Sequence, residues 1–277
     1  MPRELIDLLW RDHPDAPPAG TRGPRARVTT SDVVDAAIAL ADDAGLAAVT
    51  VRRLAADLGT SAMSLYTYVS SREDLLVLMA DTVRARQRRR PHGRHGWAAR
   101  VRRVAEDDRA LYDAHPWLLD VTDQRSAFGP GTIAKYDHEL HAFDGTGLDD
   151  VERDAALTFV LDFIRAAARA SRSEPPVVDL ADTWRSWNER LAGYLGPDHA
   201  LAQRVGAAAG AAMNTAYSPE HAWRFGVDRV LDALTALVAS RTDRSAPSAD
   251  AGGSADRTGG TRRAPARGSS TLPRSGG

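Results

Sequence analysis

Two short helical patterns on either side of Leu58-Gly59-Thr60-Ser61 constrain this chain more than any other feature. Before the turn, Thr50 stands as an N-cap and Val51 to Leu58 places Leu54, Ala55 and Leu58 on one helical face. Gly59 stops that helix, since glycine takes the left-handed conformation at no steric cost. After the turn, Ser61 caps a second helix over 62–68, whose Leu65 and Val69 point back to the same core. Two helices of about two turns, joined by a three-residue turn with glycine, make a helix-turn-helix, which presents its second helix to a DNA major groove.

The flanking residues extend the unit. Thr29 and Asp32 have capping-box spacing, Gly45 supplies a stop, and Val33, Ala37, Leu40, Ala41 and Ala44 recur on one face between them, which predicts a helix over 30–44. Ser71, with Asp74 three residues on, caps a longer helix carrying Leu75, Leu78, Met79 and Val83. The ordered series Ala36-Ala37-Ile38, Gly45, Thr50-Val51-Arg52-Arg53-Leu54-Ala55, Leu58-Gly59-Thr60-Ser61, Ser64-Leu65-Tyr66-Thr67-Tyr68-Val69 and Arg72-Glu73-Asp74-Leu75 resembles the DNA-binding domain of the tetracycline-repressor (TetR) family of bacterial regulators. The resemblance is dense over 29–80. Beyond it, the apolar helix around Leu157 to Ala168 and the segment Trp223 to Leu231 are similar to tetracycline-repressor-like members.

The resemblance implies roles for particular residues. With Leu65 and Val69 committed to the core, Ala62, Met63, Ser64, Tyr66, Thr67 and Tyr68 share the remaining faces of the second helix. It implies base-edge and thymine-methyl contacts for Met63 and Ser64, phosphate contacts for Tyr66 and Tyr68, and a base contact for Arg52. Thr50 and Arg72 stand at helix N-termini, where backbone amides also favour phosphate. Arg22, Arg25 and Arg27 punctuate a Gly/Pro-rich lead-in from which an arm would enter a minor groove.

Charge is polarised along the 277 residues: 1–100 hold 15 basic and 12 acidic groups, 101–240 hold 14 and 22, and 241–277 hold 7 and 3. Of the 36 basic residues only Lys135 is lysine. The last 37 residues contain seven Gly, six Ser and three Pro with one large aliphatic, Leu272, so the folded part is expected to end near Ser240. The reading is an all-α protein with an N-terminal extension (1–23), a helix-turn-helix domain with its linking helix (24–92), an effector-binding and dimerisation domain (93–240) and a disordered tail (241–277). No run approaches the roughly 18–20 apolar residues of a membrane span, and the absence of cysteine excludes a disulfide framework. A cytoplasmic protein with no membrane contact is expected. Met1 to Trp10 reads as a short amphipathic helix rather than a signal peptide.

In the C-terminal part, helices are expected at about 97–114, 131–143, 148–171 and 220–240. The stripe at 148–171 is too wide for one partner, with Leu157, Val160, Leu161, Ile164 and Ala168 on one side and Phe159 and Phe163 on another. The resemblance assigns this helix and 220–240 to a homodimeric four-helix bundle, so that two reading heads meet a palindromic double-stranded operator; the plainer alternative is a monomeric core. It also implies a small-molecule effector, whose cavity the large residues Trp117, Tyr136, Phe159, Phe163, Trp184, Trp187 and Met213 could line, the plainer alternative being that they fill an ordinary core. His138-Glu139-Leu140-His141 lacks zinc-protease spacing and a third ligand, so it reads as a solvated face or a pocket wall. No cofactor, metal or catalytic residue is expected, because no nucleophile elbow, phosphate loop or dinucleotide fingerprint occurs. The function expected is a regulator of transcription, a repressor released by its effector, with an activator, a ligand-independent regulator and a helical enzyme as alternatives.

Overall fold

Side-chain caps start the helices that the sequence marks in the N-terminal half. The computed structural model describes residues 4–17, 28–172 and 180–245, and among them the secondary structure is helical throughout. After α1 (Leu5–Leu9), helix α2 (Thr30–Ala44) opens on the Thr29–Asp32 capping box and ends at Gly45, where φ is 76°. Thr50 accepts from the Arg53 amide to start α3 (Val51–Asp57), and Ser61 accepts from the Ser64 amide to start α4 (Ala62–Leu65). Ser71 accepts from the Asp74 amide to start α5 (Arg72–Arg86). There follow α6 (Trp97–Ala114), α7 (Pro130–Leu140), α8 (Asp150–Ser171), α9 (Leu180–Leu195), α10 (Ala200–Met213) and α11 (Pro219–Ser245).

Helix α4 is shorter than the spacing predicts. From Tyr66 to Tyr68 the backbone tightens: the Thr67 and Tyr68 amides donate to the carbonyls three residues earlier, Ser64 and Leu65. The Thr67 hydroxyl also donates to the Ser64 carbonyl at 2.6 Å, offering that acceptor a side-chain partner in place of the helical ladder. At the other end of the molecule, α11 runs to Ser245, past the expected limit at Ser240, and Arg241 pairs with Glu152 of α8. The tail beyond, 246–277, lies outside the described residues, as do Arg22, Arg25 and Arg27 of the expected arm.

Helix α5 is the spine. Leu75, Val77, Leu78, Met79, Ala80 and Val83 are buried, which covers most of its circumference, between α1 and α2 on one side and α7 on the other. The approach of α7 is unusually close. A Cβ on Gly129 would collide with the Asp81 carboxylate, and one on Gly131 with the Asp81 backbone. Helix α7 has Gly129 as its N-cap residue and Pro130 at its start, so it has no cap of its own. Asp81 supplies one from α5: its carboxylate accepts from the amides of Gly131 (3.2 Å) and Thr132 (2.8 Å) and from the Thr132 hydroxyl (3.1 Å).

The reading head is also tied to the body elsewhere. Asp42 of α2 accepts from the Trp117 indole (2.6 Å) and pairs with His115 (2.8 Å), while within the head Asp35 pairs with Arg86 (2.7 Å). Helix α1 packs on α5 through Leu8 and Leu9, and the Trp10 indole donates to the Phe128 carbonyl. In the body, α6, α8 and α11 share a core in which Phe163 stacks on Trp223 at 5.7 Å, a packing that requires glycine at 226. Leu231 and Leu234 are buried in this core of the single chain.

Replacing Asp81 by Ala leaves two amides at the start of α7 without their acceptor while removing no apolar contact. The expected loss is about 1–3 kcal/mol of unfolding free energy, measured by urea denaturation. An unchanged midpoint with unchanged slope would show that water or another group caps α7 equally well.

Candidate nucleic-acid interface and adjoining cavity

The helix-turn-helix leaves one face open. Leu54, Ala55, Leu65 and Val69 are buried, so α3 and α4 are fixed to α2 and α5 from beneath. Ala62, Met63, Tyr66 and Thr67 are exposed on the opposite side, with Met63 78% accessible although it is apolar. Ser64 is half-buried: its hydroxyl lies 2.8 Å from that of Ser61, which also accepts its amide. Tyr68 is half-buried against the core, and its carbonyl accepts from the Thr30 hydroxyl. The two tyrosines therefore differ, one projecting outward and one leaning on α2.

The arginines separate in the same way. Arg52 is exposed and has no carboxylate at ion-pairing distance among the described residues, whereas Arg53 is paired with Asp57 one turn on. Arg72 donates to the carbonyls of Leu46 (3.1 Å) and Val49 (3.5 Å). It thereby fastens the start of α5 to the turn before α3, a protein contact that its position at a helix N-terminus did not reveal. Thr50 is exposed, its hydroxyl engaged in capping α3.

A cavity of about 700 Å³ opens directly beneath the head, between α5, α6, α7, α8 and the turn at 124–128. Of the six aromatics and one methionine expected to line a pocket, Tyr136 does so. Trp117 is buried at the junction with α2, Phe163 is half-buried against the α8–α11 core, and Trp184 is half-buried against Gly210 of α10. Trp187 and Phe159 are exposed, and Met213 is half-buried at the end of α10. These aromatics are scattered because helical spacing gives the face of a residue, not the neighbour that covers it.

The cavity is instead lined by charge. Lys135, the one lysine of the chain, is buried with its ammonium 2.8 Å from Asp108 and bonded to Glu139 one turn along α7. Gln87 donates to the second Asp108 oxygen at 2.8 Å. Burial pushes the Glu139 carboxyl up to about 8, with the Asp108 charge acting in the same direction and Lys135 against it. Burial opposes the Lys135 ammonium, but the two carboxylates outweigh it and hold its pKa above the ordinary value. Arg84, Arg125, Arg165, Tyr112 and Thr132 complete the polar wall, beside Leu111, Leu161 and Phe128. Glu139 thus serves as a pocket wall, while His138 stacks on His92 at 4.4 Å. The Lys135–Glu139 spacing within a chain otherwise basic only through arginine was the sequence signal for this site.

A rigid helix pair with an open outer face, on a body that encloses a cavity, defines a helix-turn-helix DNA-binding regulator of transcription. The profile described as bacterial regulatory proteins of the tetR family matches residues 33–79, and that of the tetracyclin repressor-like C-terminal domain matches 90–234. The chain belongs to the TetR family. It is 34% identical over 248 residues to the HTH-type transcriptional repressor DrrR1 of Streptomyces coeruleorubidus, covering 87% of this chain and 88% of that one. Apo ActR from Streptomyces coelicolor has the same fold, with a TM-score of 0.64 at 23% identity over 80% of this chain and all of that one. ActR in complex with actinorhodin gives 0.62 at 24% identity, over 78% and 99%. Among the described residues no helix is long and apolar enough to cross a membrane, and no group of three metal-ligating side chains occurs.

The Glu139 environment has a consequence for stability. Its folded pKa of about 8 lies above the ordinary 4.5, so the folded chain holds an extra proton between those values and this group's contribution to stability falls as pH rises through that window. Glu139→Gln should flatten the fall in unfolding free energy between pH 5 and pH 8, measured by denaturant titration at each pH. Identical slopes for both proteins would place the carboxyl in a solvated setting.

Proposed function

We propose that the chain represses transcription by binding a palindromic operator as a homodimer and releasing it when a small molecule enters the cavity. The observation that carries the reading is Met63, an apolar side chain held open to solvent on a capped, rigid helix next to an uncommitted Arg52. Such a pair suits a thymine methyl and a guanine edge in the major groove. Ala62, Ser64 and Thr67 flank Met63 on that face, Tyr66 and Tyr68 meet the phosphates, and Thr50 with the start of α3 meets the backbone. Arg72 acts as a brace that holds α5 to the reading head, with phosphate contact secondary. The similarity to DrrR1, a repressor, supports the sign of regulation, and ActR, a protein of the same fold captured with a small molecule, supports release. The chain then acts by binding, without turnover.

Dimerisation through 148–171 and 220–240 is supported by two exposed stripes. On α8, Val151, Ala155, Phe159 and Ala166 face outward; on α11, Phe225, Ala233 and Ala236 do. Phe159 is 49% and Phe225 58% accessible in the single chain, an exposure of large aromatics that marks a surface for a partner. The domain division at about 92, with the body extending to α11, follows from the same reading.

Two outcomes are expected. Arg52→Ala and Met63→Ala should each relax sequence preference at one operator position, costing about 1–3 kcal/mol on a fragment recovered by genomic DNA pulldown and footprinted; unchanged footprints for both would move the interface away from α3 and α4. Phe159→Arg and Phe225→Arg should dissociate the dimer in sedimentation without unfolding the protomer, because both side chains are solvent-exposed within one chain. Intact dimers for both would put the interface elsewhere.

A further inference from the structure

Among the described residues, the cavity wall contains one cation without a carboxylate at ion-pairing distance. Arg84, on α5, donates from Nη1 to the Thr132 hydroxyl at 3.2 Å, and no carboxylate among the described residues stands at ion-pairing distance from it. Every other cation in the wall is answered: Lys135 by Asp108 and Glu139, Arg125 by Asp74 and Asp123, Arg165 by Asp162. Asp81, one turn before Arg84, gives its oxygens to the start of α7. Burial makes the Arg84 charge costly, lowering its pKa; Tyr112, Asp81 and Asp108 offset part of that cost and Arg165 adds to it. A guanidinium does not discharge in response, so it is satisfied by a partner.

We propose that this cavity takes an anionic aromatic small molecule, whose carboxylate or comparable acid group is held by Arg84 while its ring system lies against Tyr112 and Tyr136. The inference rests on reading the cavity as the effector site. The guanidinium fork matches a planar two-oxygen acid, and the pairing is charge-assisted in a setting shielded from water. Leu111 and Leu161 supply the apolar part of the wall, which suits a flat ring body over a small inorganic anion. A cationic ligand finds no free acceptor, since Asp108 is bonded to Lys135 and Gln87, and Glu139 to Lys135.

The location gives binding a route to the head. The Thr132 hydroxyl that Arg84 now holds also donates to Asp81. An acid drawing Arg84 away loosens the contact where α5 and α7 are clasped, and α5 leads without interruption to Ser71 and the helix-turn-helix.

The test is calorimetry on the full chain with benzoate, 2-naphthoate and anthracene-2-carboxylate, each against its primary amide. At least one acid should bind ten times or more tightly than its amide. Arg84→Met should bring the two within about twofold without weakening the amide, and Arg84→Lys, which keeps the charge, should restore the preference. Equal affinity of acid and amide, no binding of any acid, or a preference that survives Arg84→Met would overturn the proposal. The same acids, with neutral and cationic aromatics, are then scored for release of the recovered operator. Release by neutral or cationic compounds alone leaves effector release standing and overturns the anionic class. Acid binding that depends on Arg84 but releases no DNA supports the site and contradicts release.

Discussion

The Asp81 carboxylate at the start of α7 is the contact on which the rest of the arrangement depends. Helix α7 begins Gly129-Pro130-Gly131, a sequence with no side chain able to satisfy its first amides, and the acceptor comes from the neighbouring helix. The glycines that deprive α7 of a cap are the same ones that let α5 come close enough to provide it. Either feature alone would be destabilising: a cap-less helix leaves orphan donors, and a buried aspartate without donors carries an unshielded charge. Together they fix the distance and rotation of α5 against α7.

That fixed pair sets both functional surfaces. Toward its N-terminus α5 carries Arg72, which clamps the turn before α3, and buries Leu75 beneath the reading head. Toward its C-terminus it carries Arg84 and Gln87, which join the cavity wall and the Lys135–Asp108 pair. Helix α5, fifteen residues long, therefore touches both the helix-turn-helix and the cavity. The hydrogen bonds of Asp42 with Trp117 and of Trp10 with Phe128 tie the same region to the body. Under the proposed function, a ligand shifts the population of DNA-competent protein only by its unequal affinity for the two states.

The head was legible because its rules are local. Caps at Thr29, Thr50, Ser61 and Ser71 and stops at Gly45 and Gly59 act within four residues, and all six occur where the sequence puts them. The short α4 was missed because the Thr67 hydroxyl, not the apolar period, ends it. The cavity was only partly legible: the helices that bound it follow from periodicity, but its lining depends on which helix faces which. Phe163 and Trp184 instead pack against glycines 226 and 210 of other helices, contacts separated by more than twenty residues in sequence. Arg84 and Asp108 look like solvated charges until α7 is laid across them. Leu231 and Leu234 are buried in the core of their own chain, whereas Phe159 and Phe225 are exposed, which periodicity alone does not distinguish.

The central claim is that the clasp between α5 and α7 fixes the separation of the two reading heads in the proposed dimer. Because the chain has no cysteine, a single spin label can be placed at Asp43→Cys, an exposed position of α2 remote from the groove face. Double electron–electron resonance on the labelled dimer should give one narrow distance distribution, and Asp81→Ala should broaden or shift it while the dimer persists. A distribution that stays narrow and unmoved after the loss of Asp81 would contradict the account.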